Sequence, residues 1–592
     1  MTRLHRLALL LAVLAWCALA MAALVMVLGS LSLPALGLSM SRASRLLVAV
    51  GILAVAAVWC RGGTLALLDD LGRSRAPHIA TLLLVIVWFT ALVVARGAVS
   101  VGGGDSAGYL AQAQRWSTGH LHVPLPLSIP GVADPWVQSS LGMRPDPTGS
   151  ATVPTYPPGL PWVEAVALRV GGEALAIRAL PLIAGLIALL ALWHLAVARA
   201  GYAGAAVMVT CLASLPSFLF QALQPMSDVP ALAAWLLALA LASWGASRGT
   251  AGPALGAAFA TLLAILIRPN LAPLAAAVAW QAALPQAGQL PRYRRGLLVG
   301  AGATVAVIAV AAVQAFLYGS PLQSGYGSAA ELFAWRHVPD NLRLYGAWLS
   351  EGVAWPARLV LAVGAAWMAW DAAHRARWRP ALAATLLTVA LYLVYIPFDS
   401  WTYLRFVLVP LALAPAGAAG LLATLQASRH QRWVFPVTSA LVLAVALPNL
   451  GLARQLSVFG VRAREYRYEA AGRFVGAQLP TTTVIVAGHH SASAPYYSGR
   501  PVVRADLLTP AGLAALEAWA VRNGRPLAFV LDEPEWGTLR RRLGHAEIAT
   551  LSWPPRAEVG RPVATRIWVA ADRGAYLAGD IIPTTRITQR PH

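Results

Sequence analysis

Val101-Gly102-Gly103-Gly104-Asp105-Ser106-Ala107-Gly108-Tyr109 follows an apolar run over 78–96 and sets a carboxylate where a spanning segment ends. A carboxylate at the centre of a bilayer costs roughly 2.5–3.5 kcal/mol on insertion scales, so one held at the water boundary beside glycines reads as a site. The alternative for an isolated Asp is an ordinary loop residue. Polar sequence continues to Thr155-Tyr156-Pro157-Pro158-Gly159-Leu160-Pro161 before apolar runs resume. The stretch 97–173 is therefore a long loop between membrane spans.

Composition agrees. The 592 residues are 58% hydrophobic and only 12% charged, with a mean hydropathy of +0.63. That excludes a soluble enzyme of ordinary make-up and points to a polytopic membrane protein. About thirteen apolar segments of spanning or near-spanning length lie between residues 7 and 451. In the last ~140 residues charged residues return and apolar runs shorten, the pattern of a soluble domain. The expected divisions are 1–97 (N-terminal spans), 98–173 (outer catalytic loop), 174–452 (transmembrane core) and 453–592 (a C-terminal α/β domain).

The net charge of +21 would suggest nucleic acid in a soluble protein. Here the arginines sit mostly in short loops between apolar segments, where they set orientation, so no nucleic-acid partner is expected. The chain has no lysine, so every permanent side-chain cation is Arg, which grips phosphate oxygens bidentately. Cys17, Cys60 and Cys211 fall in apolar segments at unrelated positions and read as packing residues, with neither a disulfide framework nor zinc spacing. The first apolar run, Leu7 to about Val27, exceeds a signal-peptide core and ends without a small-x-small site, so it reads as an uncleaved span.

With the N-terminus inside, spans are predicted at 7–29, 45–60, 78–96, 174–197, 203–222, 228–246, 296–317, 352–371, 381–397, 402–424 and 433–451. The stretch 253–285 lies between Arg248 and Arg292-Tyr293-Arg294-Arg295, both expected inside, so the chain must cross an even number of times. Two full helices do not fit. Arg268-Pro269-Asn270 interrupts the run, predicting two short helices that meet near the outer face. Such breaks are tolerated only inside protein or beside a wet cavity. Loops expected inside carry Arg61, Arg73, Arg75, Arg199, Arg375, Arg377, Arg379, Arg429 and Arg432, whereas Arg115, Arg144, Arg336 and Arg343 lie in the long outer loops.

On that topology the Asp105 loop, Gln224-Pro225-Met226-Ser227-Asp228, the 318–350 loop and Pro397-Phe398-Asp399-Ser400-Trp401-Thr402-Tyr403-Leu404-Arg405 share the outer face, and the Arg268 break joins them. Within the first loop, 107–118 and 161–170 read as interfacial helices. In the tail, 483–487 and 527–531 read as strands and 509–522 as a helix with Pro510 in its first turn. Trp116, Trp136, Trp162, Trp335, Trp348 and Trp401 sit at predicted outer boundaries, where interfacial anchoring explains most of them.

Several stretches together resemble the GT-C superfamily of polyprenyl-phosphate-sugar-dependent glycosyltransferases, in the bacterial branch related to protein O-mannosyltransferases and aminoarabinose transferases. They are Gly104-Asp105-Ser106-Ala107-Gly108-Tyr109, Tyr156-Pro157-Pro158-Gly159-Leu160-Pro161, Met226-Ser227-Asp228-Val229-Pro230, Ile267-Arg268-Pro269-Asn270, 318–327 (Tyr318 to Gly327) and 404–410 (Leu404 to Pro410). Each is weak alone; their order across roughly 98–425 is more specific. The resemblance implies a GT-C-like fold with about 11–13 spans, including short broken helices. It implies a polyprenyl-phosphate-linked sugar donor, a glycan, lipid or protein acceptor, and surrounding membrane lipids. It places the catalytic carboxylate on Asp105 and a second site acid on Asp228. The chain departs from the pattern in having three spans rather than one before the catalytic loop, and in lacking the Lys that some relatives place near the lipid phosphate.

The chemistry is sensible on its own terms. A carboxylate beside an acceptor hydroxyl can take its proton while arginines stabilise a departing phosphate. Asp105 is the candidate base, and Arg268 and Arg405 are the candidate phosphate ligands. Tyr109, Tyr156, Tyr326 and His337 are candidate substrate-binding residues. Bland alternatives stand beside these: Arg405 could snorkel or pair with Asp399, Arg268 could fill the broken helix, and Asp228 could cap a helix with Pro230 two residues on. No cofactor is indicated. His120, His122 and His337 lie in outer loops without diagnostic ligand spacing, which leaves a divalent metal open. His489-His490 of the tail lies in a segment that also resembles this branch, open to acceptor contact or an ordinary strand-end loop. The expected location is the inner (plasma) membrane, multi-pass, with loop and tail periplasmic. The competing function class is a transporter or lipid flippase, which also uses broken helices and buried charges. Against it stand the absence of a detectable repeat and the gathering of polar residues at one face. An O-antigen ligase or polymerase would use a large loop later in the chain.

Overall fold

The computed structural model describes residues 3–28, 31–33, 38–40, 43–248, 252–284, 292–374, 378–544, 546–560 and 563–588. Arg375 and Arg377 of an expected inner loop lie outside them. Among the described residues eight helical stretches are long and apolar enough to cross a membrane, and Gly252–Ile267, Leu274–Ala283 and Arg379–Leu393 are shorter apolar helices. Helix is the form such segments must take, because in hydrocarbon each backbone group has to find its partner within the segment.

The membrane part is a helical bundle whose runs are cut where the sequence cuts them. The 56-residue stretch Gly159–Ser214 is broken at Gly172 (φ 63, ψ −160) and Gly201 (φ 70, ψ −179). Both glycines adopt left-handed φ values that side chains disfavour. The expected joint between 197 and 203 thus falls at Gly201. The broken run is two short helices: Gly252–Ile267 ends at Arg268, Pro269–Leu271 forms a single 3-10 turn, and Leu274–Ala283 returns. One end of this group is tied together by Arg295 Nη1 donating to Gly245 O, by Arg199 donating to Gln281, and by Arg292 N donating to Ala283 O at 3.3 Å. The Arg268 break lies at the other end, against Ser227 and Asp228. An even number of crossings was the charge-based expectation, and the packing matches it.

Two membrane-length helices precede Ala76–Arg96. Arg3–Leu28 seats Trp16 against the bundle, its Nε1 donating to Thr81 Oγ1 at 2.9 Å and its ring meeting Phe435 edge-on at 6.0 Å. Ala43–Arg61 packs on Arg3–Leu28. An unforeseen amphipathic helix, Thr64–Arg73, buries Leu67 and Leu71 while Asp70 pairs with Arg61. Of the tryptophans expected at the interface, Trp348 (3% exposed) and Trp401 (9%) are core residues instead. Their rings pack on Tyr403 and Phe220.

The long loop is ordered. Helices Asp105–Thr118 and Gly159–Glu173 frame a three-stranded antiparallel sheet in the order Val123–Pro124, Ala151–Pro154, Met143–Pro145. The tail opens with the helix Val461–Gln478 and holds a six-stranded mixed sheet in the order 585–587, 557–559, 565–569, 527–532, 484–487, 502–504. Alternate residues of its central strands face opposite layers, as a pleated strand requires. Val484, Val486, Phe529 and Leu531 meet Leu513 and Leu516 of the helix Pro510–Arg522. Ile485, Ala487, Ala528 and Val530 meet Ala471 and Val475 of Val461–Gln478. Thr509 caps Pro510–Arg522 by accepting from Gly512 N at 3.0 Å. Loop and tail share a core, since Leu127, Ile129 and Val137 enter the same cluster as Val484 and Leu513.

Candidate active site

Four elements distant in sequence deliver two carboxylates and two guanidinium groups to one place. Asp105 opens the helix Asp105–Thr118. Asp228 opens Asp228–Arg248, Arg268 stands at the helix break, and Arg405 lies on the 3-10 turn Trp401–Val407. Arg405 Nη1 donates to Asp105 Oδ2 at 3.0 Å, and its Nε lies 3.9 Å from Asp228 Oδ1. Arg268 Nη2 donates to the same Asp228 oxygen at 2.5 Å. The order is Asp105, Arg405, Asp228, Arg268, alternating in sign, so each guanidinium is neutralised and none is stranded in a poorly hydrated setting.

Exposure differs along the row. The Asp105 side chain is 38% exposed, whereas that of Asp228 is fully buried and those of Arg405 and Arg268 are 15% and 13% exposed. The accessible end is Asp105. Its other oxygen accepts from Tyr156 Oη at 3.0 Å, which fixes the carboxylate without neutralising it. Asp228 Oδ2 and Arg405 Nε are buried and make no hydrogen bond among the described residues. They mark where a polar ligand atom could complete the set.

A layer of hydroxyls supports the row. Arg268 donates to Ser227 Oγ (3.3 Å) and Tyr392 Oη (3.2 Å), Tyr109 Oη donates to Ser227 Oγ (2.9 Å), and Asn270 Nδ2 donates to Tyr392 Oη (2.9 Å). Tyr109 stacks on Tyr156 at 4.3 Å, and Tyr326, half-exposed, meets Tyr156 edge-on at 6.0 Å. Phe406 lies under both guanidinium groups at 5.4 Å, and Tyr403 under Arg405 at 4.9 Å. The structure thus brings Asp105, Asp228, Arg268, Arg405, Tyr109, Tyr156 and Tyr326 together. His337 ends the 3-10 turn Trp335–His337; its Nε2 is buried and unpartnered, and no contact joins it to the row among the described residues. Arg405 turns toward Asp105 and Asp228 rather than Asp399. Asp228 uses its carboxylate on arginines.

Tyr392 escaped the sequence reading because a tyrosine inside an apolar run looks like packing. Ser227 and Asn270 lay within quoted motifs but had no assigned role. Glu465 of the tail was also missed: Ser106 Oγ, which donates to Gly102 O at 2.6 Å, lies 3.3 Å from Glu465 Oε2. Burial, only partly offset by Arg467, pushes the Glu465 carboxyl up to about 7. A folded value above the unfolded one means the folded chain holds the extra proton between roughly pH 4.5 and 7. Stability from this group is thus full below that window and declines as pH rises through it. Thermal midpoints measured from pH 4.5 to 7.5 should lose this slope in Glu465→Gln; an unchanged slope would refute the assignment.

Close backbone contact positions the break. A Cβ on Gly159 would run into the backbone of Leu266 and Ile267, immediately before Arg268. Gly159→Ala should therefore displace Arg268 and lower turnover on the order of 10²-fold. Turnover at the wild-type level would show that this contact does not position Arg268.

For a metal, the one group among the described residues whose ligand atoms lie within 4.8 Å of each other is His489, Asp532 and Glu535. The group could hold a divalent ion, although both of its acids are already engaged by protein donors. Asp532 already accepts from Arg467 (2.9 Å), His490 (2.9 Å) and Thr565 (2.6 Å), and Glu535 accepts from the backbone amides of His489 (2.6 Å) and Asp532 (2.9 Å). Burial opposes charge on Asp532, but His490 and Arg467 together outweigh it and hold its carboxyl well below the usual range. His122 instead meets Phe316 edge-on at 5.1 Å.

No protein-family model matches the chain, and no curated protein matches it in sequence. Solved structures do. The fold is similar to ArnT from Cupriavidus metallidurans bound to undecaprenyl phosphate, at 15% identity over 82% of this chain and 97% of that one, with a TM-score of 0.47. It is also similar to the apo oligosaccharyltransferase of Archaeoglobus fulgidus, at 13% identity over 81% and 73% of the two chains, with a TM-score of 0.49. A further match is the Archaeoglobus fulgidus oligosaccharyltransferase AglB in complex with an inhibitory peptide and a dolichol-phosphate, at 13% identity over 80% and 72%, with a TM-score of 0.44. Likeness at this level says nothing of which residues act.

Proposed function

We propose that the chain is an integral membrane glycosyltransferase that moves a sugar from a polyprenyl-phosphate-linked donor to an acceptor hydroxyl at the outer, periplasmic face. The observation that carries this reading is the alternating row of Asp105, Arg405, Asp228 and Arg268, with its accessible acid at one end. Asp105 takes the proton of the acceptor hydroxyl as that oxygen bonds to the sugar's anomeric carbon. The bond from that carbon to the phosphate oxygen breaks, and its electrons go to the leaving phosphate. Arg405 and Arg268 stabilise the charge that grows there. Asp228 keeps both guanidinium groups fixed and charged. Tyr109 and Tyr156 form the stacked wall beside Asp105, with Tyr326 at its edge, whereas the expected substrate role of His337 gains no support from a contact with the row among the described residues. The phenyl and phenol rings beneath the arginines give an apolar floor suited to the first isoprene units.

The test is to purify the protein and follow release of polyprenyl phosphate from a panel of labelled lipid-linked sugars. Release that depends on an added acceptor supports the reading. Movement of labelled lipid across a vesicle membrane without release would favour a flippase instead. Orientation is tested with a cysteine placed near Ser491, at His489, whose side chain is 63% exposed; it should react with an impermeant reagent from the periplasmic side, and access from the cytoplasm alone would overturn it.

A further inference from the structure

A second cluster of arginines lies at a membrane-end cavity and shares no residue with the row described above. The cavity, of about 310 Å³, is bounded by the end of Ala76–Arg96, the joint after Gly172, the turn at Leu223 and the first residues of the tail. Its walls are apolar, including Val93, Ile177, Leu182 and Leu223, and its rim carries Arg178 and Arg462. Arg96 stands close enough that it and Arg178 both press electrostatically on Arg462. Arg462 donates from Nε to Gly97 O (2.9 Å) and from Nη2 to Val94 O (2.8 Å), covering the last carbonyls of the spanning helix. No carboxylate pairs with Arg96, Arg178 or Arg462 among the described residues. Three cations of one sign converge without a counter-charge above an apolar slot at the end of a span.

We infer that this cavity binds an anionic glycerophospholipid, with the phosphate diester among Arg96, Arg178 and Arg462 and the first part of an acyl chain in the apolar slot. Uncompensated guanidinium groups supply charge and paired donors for phosphate oxygens. Clusters of basic residues at a membrane boundary attract anionic headgroups, and the chain contributes through apolar burial. The bound lipid would brace the joint between the last turn of Ala76–Arg96 and the tail, because Arg462 belongs to the tail. The inference does not depend on sugar transfer.

Native mass spectrometry of the purified full chain in detergent, with phosphatidylglycerol or phosphatidylcholine added, tests it. Wild type should retain phosphatidylglycerol selectively. Arg96→Gln/Arg178→Gln, which spares the backbone contacts of Arg462, should weaken retention roughly 30-fold. Ala179→Trp, which fills the slot and leaves the charges, should weaken it as well. Equal retention of the two lipids by wild type, or undiminished phosphatidylglycerol binding in both variants, would overturn the inference. Displacement of phosphatidylglycerol by equimolar undecaprenyl phosphate would reassign the cavity to the prenyl carrier. Displacement by millimolar inorganic phosphate would reduce it to a free-anion site.

Discussion

Asp105→Asn is expected to lower sugar transfer by about 10²–10⁴-fold, the range typical of removing a positioned general base, while the fold survives. Asparagine is nearly isosteric, and its oxygen can still accept the Tyr156 hydroxyl bond that now measures 3.0 Å. What it loses is basicity and the charge facing Arg405. That pair is only partly sheltered, with Asp105 38% exposed, so its loss should cost no more than about 1 kcal/mol of stability. Loss of turnover at a near-normal thermal midpoint is therefore the signature. Measured kcat with saturating donor and acceptor, beside a melting curve, decides it: undiminished transfer would end the assignment of Asp105 as base.

Asp228→Asn should behave differently. The Asp228 side chain is fully buried, bonds Arg268 at 2.5 Å and faces Arg405 at 3.9 Å. Removing its charge leaves two poorly exposed guanidinium groups facing each other with only Asp105 to offset them. Breaking a buried pair by deleting one partner costs about 3–5 kcal/mol, because the other charge is stranded. The expected result is a marked fall in thermal midpoint together with loss of transfer. Arg268→Met added to Asp228→Asn should restore much of the stability and none of the activity. A double-mutant cycle reads the coupling directly. An Asp228→Asn protein that melts with the wild type would show that the pair contributes little and that Asp228 does not hold the arginines.

The membrane architecture was legible because the bilayer imposes length and charge rules that single residues reveal. The inner position expected for Arg248 and Arg292, together with Pro269, was enough to expect a broken return through 253–285, and two short helices stand there. What remained hidden follows from weak local signals. The loop strands Val123–Pro124 and Met143–Pro145 are two and three residues long, too short to show alternation. Thr64–Arg73 is amphipathic but only ten residues long, and Asp69 and Asp70 disguise it as loop. Within the site, the ionisable residues stood out against apolar surroundings, whereas Tyr392, whose hydroxyl joins Arg268 to Asn270, blended into its helix. The bond of Ser106 to Glu465 spans 359 positions, and no local pattern encodes such a partnership.

The joint between the early loop and the tail has a consequence for biogenesis. Val101 N donates to Tyr497 Oη at 2.8 Å, Leu141 N donates to Ser491 Oγ at 3.1 Å, and Gly102 lies so close to the Tyr468 ring that a Cβ would have no room. The segment that carries Asp105 leaves the ribosome hundreds of residues before these partners exist. Until the tail has folded, the loop lacks these partners. Chains truncated before these partners would therefore carry the early loop in an incomplete form, and its final shape would arrive late, once residues 468–497 meet it.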